Sequence, residues 1–428
     1  MSELVFPDGF LWGAATSGHQ TEGGNSNSDW WDWERKPDTP TRVPSGNAIE
    51  HYTRYPKDIA MLGELGLNLY RFGIEWARIE PEEGHFDDAQ LDHYKKMIAT
   101  MRKAGLAPMA TLNHFALPRW VAAQGGWLSD RTPALFDRYV RRVVEAIGDQ
   151  VSWYITINEP GVVAFGGYLG ALPFPPGTRG VENWRTSIAT LIQAHRLSRA
   201  TIKELQPRAR VGIAHSMQEW EANWGARPVI EYARHLNEDV FLEACVDDDY
   251  IGVNTYTRER LEFPAPFGVL ARAALAVGPL QRRIVPWVVE RTRDQTDPEA
   301  LKKLGGRRTQ MGWEWRPEAI AYTVRRVAAM HSGKPILVTE HGVATNDDAE
   351  RVEFIRDGLV ALHRCIEDGI PLGGYVHWSA FDNFEWAFGY DMKFGLIAVD
   401  PATQVREIRP SARFLGDIAR SNKLLFAE

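Results

Sequence analysis

Eight short apolar runs recur along the chain, and longer helical patterns separate them. The runs cover residues 10–15, 68–74, 106–113, 151–157, 210–215, 250–254, 336–340 and 374–378. Strands buried on both faces read as near-continuous apolar stretches of this kind, because helices cover the sheet on either side. Helical stretches at 52–65 and 91–104 are each followed by a glycine, Gly66 or Gly105, suited to the left-handed position that ends a helix. The repeated order helix, glycine, strand predicts an α/β fold, a single (β/α)8 TIM barrel over residues 1–428.

Composition narrows the classes. With 44% hydrophobic and 25% charged residues the chain can bury an extensive core, which excludes disorder and collagen. A net charge of −7 and the absence of a Lys/Arg run argue against nucleic-acid binding. Cys245 and Cys365 are far apart and lack metal-ligand spacing, so neither a disulfide framework nor a thiolate zinc site is expected. No phosphate-cradling glycine loop, zinc-binding His pair or Rossmann fingerprint occurs in a supporting context, so no cofactor and no metal are expected. Residues 1–7 have no basic region leading into an apolar stretch, and no run reaches the length of a membrane span. A cytoplasmic protein with no integral membrane segment is the expectation.

One connection breaks the rhythm. Residues 257–315 follow the sixth strand and far exceed the roughly 4–6 residues typical of such connections. This inserted region is expected to border the active site. Within it, residues 264–289 are rich in Ala, Val, Leu, Phe and Pro, with Arg272, Arg282 and Arg283 as the charges. It reads as a small packed excursion beside the barrel, as an apolar wall for a hydrophobic leaving group, or as a membrane-facing surface.

Barrel sites collect at the carboxyl ends of the strands, so the polar residues that close each run are the candidates for chemistry. Two of those closures are glutamates: Glu159 follows the fourth run and Glu340 ends the seventh. One such carboxylate is readily a salt-bridge partner; two at one barrel mouth suit glycosidic bond cleavage. That reaction needs a proton for the departing oxygen and a negative charge or nucleophile for the developing oxocarbenium carbon. The two environments must differ, one keeping its proton and the other staying ionised. Arg71, near the end of the second strand, is a candidate cation for the ionised partner or a member of a structural ion pair.

Four segments carry a resemblance: Phe10-Leu11-Trp12-Gly13-Ala14-Ala15-Thr16-Ser17, Thr156-Ile157-Asn158-Glu159-Pro160, Val338-Thr339-Glu340-His341-Gly342 and the stretch from Trp378 to Trp386. They resemble glycoside hydrolase family 1, the β-glucosidase family, in the order that family uses. The resemblance implies that Glu159 is the general acid and later the base, and that Glu340 is the nucleophile of a retaining mechanism. It implies that Tyr256 hydrogen-bonds the nucleophile, with Arg71 helping to hold it ionised. Asn158 would bind the sugar 2-hydroxyl; Gln20, His114, Glu385 and Trp386 would bind the remaining hydroxyls. Trp378 would form the aromatic floor, and Trp313 would line the leaving-group side. Members acting on 6-phosphorylated sugars differ at three places where this chain has Glu385, Met392 and Phe394, so an unphosphorylated sugar is implied. Two residues depart from the common pattern: Phe115 stands where many members have Trp, and His341 stands where Asn is common.

The expected activity is hydrolysis of terminal β-D-glucosyl residues, with β-D-galactosyl or β-D-fucosyl residues as related options, from a small-molecule β-glycoside. Transfer of the sugar to an acceptor alcohol and a catalytically silent sugar-binding barrel are the alternatives.

Overall fold

The computed structural model describes residues 2–292, 298–302 and 305–426. Eight parallel strands close into a barrel: β1 (Leu11–Ala15), β2 (Leu69–Gly73), β3 (Ala107–Thr111), β4 (Trp153–Asn158), β5 (Arg210–Ser216), β6 (Ile251–Asn254), β7 (Ile336–His341) and β8 (Leu372–Trp378). Each strand pairs with the next, and β8 returns to pair with β1. The bounds differ from the predicted runs by no more than two residues. The helical patterns also form as expected, as α1 (His51–Glu64) and α2 (Asp88–Lys103). Gly66 and Gly105 come after them with φ of 85° and 80°, the left-handed geometry that residues with a Cβ resist. Asp87 caps α2 by accepting from the Ala89 and Gln90 amides.

Two apolar layers result from the two-residue period of the strands. In β2, Leu69 belongs to the cluster that fills the barrel lumen with Ala15, Met109, Ile155, Ala214, Leu337 and Val376, while Tyr70 and Phe72 pack outward against the helices. The same alternation puts Arg71 on the lumen side.

The two strands that carry the key glutamates break this alternation. Between β6 and β7, Val338 pairs with Val253 and Glu340 with Asn254, so β7 advances two residues for one of its neighbour. Between β4 and β5, Ile155 pairs with Gly212 and Asn158 with Ala214, three residues against two. Each slip moves an extra residue into the ladder and re-aims the residues beyond it. Leu337 and Ile155 face the lumen, and strict alternation would send Glu340 and Asn158 to the outer face. Both face inward instead.

After β6 the chain forms a short strand, Arg258–Leu261, paired in parallel with Glu219–Ala222. Three helices come next, after α3 (Val181–Leu205) and α4 (Arg227–Arg234) earlier in the chain: α5 (Ala265–Leu275), α6 (Gly278–Thr292) and α7 (Pro298–Lys302). Residues 293–297 and 303–304 of the predicted 257–315 region lie outside the described residues. Ala271 of α5 and Val288 of α6 pack with Val229 of α4. Arg185 of α3 donates to Gln281 at 2.6 Å, and Arg282 pairs with Glu182 at 3.1 Å, so polar contacts hold α6 on α3. Among the described residues no helix is long and apolar enough to cross a membrane.

Candidate active site

The carboxyl ends of the strands open into a cavity of about 610 Å³. Its wall includes Glu159, Glu340, His114, Asn158, Tyr256, Trp313, Trp378, Glu385 and Trp386. Arg71 and Gln20 are fully buried behind that wall and reach the site through their hydrogen bonds.

Arg71 organises the lumen. Its Nη1 donates to Glu340 Oε1 at 2.5 Å and to the Thr339 carbonyl at 3.0 Å. Nε donates to Thr111 Oγ1 at 3.1 Å, and Nη2 to Asn158 Oδ1 at 2.6 Å. A buried guanidinium with every arm committed is a fixed positive charge. The Tyr256 hydroxyl donates to the other Glu340 oxygen, Oε2, at 2.5 Å. Burial and the Glu340 charge push the Tyr256 phenol far above its ordinary range, so it stays a donor. Glu340 is thereby gripped on both oxygens by a cation and a phenol.

Glu159 meets the opposite environment. Residue 159 sits just past β4 in a left-handed conformation, φ 46°, which costs a non-glycine residue on the order of 1–2 kcal/mol. Its Oε1 accepts from Asn254 Nδ2 at 2.9 Å. Burial, with the Glu340 charge adding to it, raises its pKa from 4.5 to about 8; the Asn254 hydrogen bond and Arg71 oppose the shift. One carboxyl is thus held against a cation while the other is biased to keep its proton.

The amides between them have defined orientations. Asn158 Oδ1 accepts from Arg71 and from Asn254 Nδ2, so its Nδ2 must face His114 Nε2 at 3.1 Å. That contact makes Nε2 an acceptor and puts the imidazole hydrogen on Nδ1. Burial and Arg71 hold His114 neutral, well below its usual pKa. Its Nδ1 is buried and has no hydrogen-bond partner among the described residues, while the ring lines the cavity.

Glu385 lies on the loop after β8. The Gln20 amide fixes that loop: its Nε2 donates to the Phe384 carbonyl at 2.8 Å, to Asn383 Oδ1 at 3.1 Å and to Glu385 Oε2 at 3.3 Å. Burial and the Glu340 charge raise the Glu385 pKa to about 8, against hydrogen bonds from Gln20 and Trp378. Trp378 stacks near His114, with centroids 5.7 Å apart. Gly342, two residues after Glu340, permits the close approach here, because a Cβ would lie 1.9 Å from the Trp378 carbonyl oxygen.

The remaining predicted residues fall around this centre. Trp313 packs against Tyr256 at 5.6 Å and Phe394 at 6.2 Å. Phe115 packs on Trp386 at 5.1 Å and offers no donor. His341 is buried away from the cavity, contacting the Tyr375 hydroxyl at 3.1 Å and the Pro317 carbonyl at 3.2 Å, and burial lowers its pKa to about 3. It fills a packing slot as a neutral ring. Met392 and Phe394 belong to the lumen cluster.

Asn254 is the site residue that sequence reasoning assigned no role, although it binds Asn158, Glu159 and Thr339 at once. It closes the sixth run, so the strand-end rule that flagged Glu159 and Glu340 would have found it. Cys245 lies near His195, His215 and Asp248, outside the cavity. Burial raises its thiol pKa, which disfavours the thiolate a metal would need.

The chain also has known relatives. The family model "Glycosyl hydrolase family 1" matches residues 2–271 and 281–424. β-Glucosidase A of Thermotoga maritima is 30% identical over 99% of this chain and 100% of its own length. A β-galactosidase of Pyrococcus woesei is 30% identical over 94% of each chain. The solved structure of a β-glycosidase from Pyrococcus horikoshii superposes with a TM-score of 0.84 at 32% identity, covering 99% of this chain and 97% of that one. With the family model spanning nearly the whole length and the barrel superposing throughout, the chain belongs to glycosyl hydrolase family 1, the retaining glycoside hydrolases.

Proposed function

We propose that the protein releases terminal, non-reducing β-D-glucosyl residues from small β-glycosides by double displacement, with related β-D-galactosyl or β-D-fucosyl residues as further substrates. The observation that carries this reading is the contrast between two carboxyls on one cavity: Glu340 bonded to Arg71 and Tyr256, and Glu159 buried with a pKa raised to about 8.

In the first step a Glu340 oxygen attacks the anomeric carbon as the bond to the leaving oxygen breaks, and Glu159 gives that oxygen its proton. Glu159 Oε1 already accepts from Asn254, so Oε2 is the oxygen that carries the proton. Loss of the proton leaves Glu159 anionic. It then takes a proton from a water whose oxygen attacks the anomeric carbon, expels Glu340 and frees the sugar with its original configuration. Arg71 steadies the Glu340 charge at both ends of this cycle, and the Asn158 amide in the cavity wall supplies a donor for a hydroxyl. Gln20 acts as a positioning residue for Glu385.

Proton NMR of the first product from 4-nitrophenyl β-D-glucoside tests the reading. The β-anomer is expected first; the α-anomer would overturn it. A Glu340→Gln variant that retains the parent rate would remove Glu340 from its role.

A further inference from the structure

The cavity continues well past the two glutamates, and its far part is built from α4, which precedes β6, and from the segment after β6. There the wall is Val229 and Ile230 of α4, Leu275 of α5, and Ile284, Val285 and Val288 of α6. Glu238, Glu259 and Arg260 also line this side, and Arg260 pairs with Glu314 at 3.1 Å. Glu238 is held by Arg326 and accepts from the Trp220 indole at 2.6 Å, and burial raises the Glu259 carboxyl to about 7.

Protein interiors normally close on apolar side chains that face one another, because an empty apolar space forfeits dispersion contacts and costs stability. Here α6 is fastened to α3 at its polar rim, through Arg185 to Gln281 and Arg282 to Glu182, α5 packs on α4 and α6, and the two helices roof a space that the apolar side chains leave open. That space is continuous with the one containing Glu159 and Glu340. A volume of about 610 Å³ exceeds the size of a single hexose and falls in the roughly 300–1,000 Å³ range of sites that enclose larger ligands. The family match skips residues 272–280, where α5 ends and α6 begins.

We infer that this roofed apolar chamber is the site for an extended hydrocarbon aglycone, so that the chain's preferred substrates are amphipathic β-glycosides, with the sugar at the glutamates and an aliphatic tail beneath α5 and α6. The inference rests on the β-glycosidase reading above and names its substrate class. A hydrocarbon is favoured because α4, α5 and α6 line the chamber with branched aliphatic side chains, which offer no donor or acceptor to replace the water of a second sugar.

The test is a chain-length series of methyl, butyl, hexyl and octyl β-D-glucosides, each below its micelle-forming concentration, with 4-nitrophenyl β-D-glucoside as reference. Each methylene that leaves water for the chamber is expected to raise kcat/KM roughly twofold, less than complete transfer out of water would give, so octyl glucoside exceeds methyl glucoside by about two orders of magnitude. Val229→Trp on α4 and Ile284→Trp on α6 add bulk to the chamber wall and are expected to shrink the octyl-to-methyl ratio at least tenfold. The ratio is read within each preparation, so a lower yield of folded enzyme does not alter it, and the wild-type series decides even if a variant fails to fold. A wild-type ratio near one overturns the inference. A high ratio that both variants leave intact also overturns it, by placing the tail elsewhere. Failure of the glycosidase reading looks different: the nitrophenyl glucoside itself would go uncleaved.

Discussion

The two ends of the cavity solve opposite problems. At the glutamate end, Arg71, Asn158, Asn254, Glu159, Glu340 and Tyr256 are hydrogen-bonded to one another before any substrate arrives. At the far end, Val229, Leu275, Ile284 and Val285 present aliphatic surface. The first end is preorganised around charge, which stabilises a transition state because the dipoles need no rearrangement during reaction. The second recognises bulk and hydrophobicity, which tolerate variation in the occupant. Strand ends of a closed barrel build the polar end; α4, between β5 and β6, together with α5 and α6, after β6, builds the apolar one. Chemistry therefore sits on the rigid part of the fold and leaving-group choice on the appended part.

Removing the charges undoes this contrast most completely. Glu340→Gln is expected to lower kcat by on the order of 10⁴-fold or more, since it removes the nucleophile outright. Glu159→Gln is expected to lower it by roughly 10²–10⁴-fold, with the smaller loss on nitrophenyl substrates whose leaving group needs little help from a proton. Equal losses on nitrophenyl and alkyl glucosides would contradict the acid role of Glu159.

Next in size is the support beneath the charge. Arg71→Met strands Glu340 in a buried setting and is expected to cost about 3–5 kcal/mol of stability, measured by urea unfolding. A loss below about 1 kcal/mol would mean that the pair contributes little to holding the polar end together.

The pH dependence of stability reports on Glu159 as well. Glu159 has its pKa raised from 4.5 to about 8, so the folded chain binds this proton more tightly than the unfolded chain does. The associated stability is full below about pH 4.5 and is lost as pH rises through about 8. The wild-type Tm should therefore fall more steeply across this window than that of Glu159→Gln, and kcat/KM should decline on the alkaline side as the acid loses its proton. Parallel Tm profiles for the two proteins would refute the raised pKa.

The smallest expected effect concerns Phe115, which packs on Phe174 at 5.2 Å and on Trp386. Phe115→Trp would introduce an indole donor, and a single hydrogen bond contributes about 0.5–1.5 kcal/mol. The glucoside-to-galactoside ratio of kcat/KM should then shift roughly 2–10-fold. An unchanged ratio would show that position 115 does not select the sugar.

Most of the architecture was legible because long-range order here repeats a local pattern. Eight apolar runs, separated by helices that end at glycine, dictate a barrel, since parallel strands with covering helices have few other ways to close. Residue type and strand-end position were enough to single out Glu159 and Glu340, and the family motifs singled out Tyr256, His114 and Trp378. Asn254 passed unassigned because an asparagine closing a strand carries no distinctive chemistry until its partners are known. The folding of the stretch after β6 into two helices over an apolar chamber was not readable either, because its composition suits a packed excursion, an apolar wall or a membrane-facing surface.

The order of amino acids settles which residue types stand at which strand ends. Which way they point was settled in three dimensions. Strict alternation in β4 and β7 would have turned Asn158 and Glu340 out toward the helices, and a one-residue slip against the neighbouring strand turns each of them into the lumen. Register is a property of two strands together, set by how their side chains pack and how their backbone groups pair across the ladder, so neither strand's own sequence contains it.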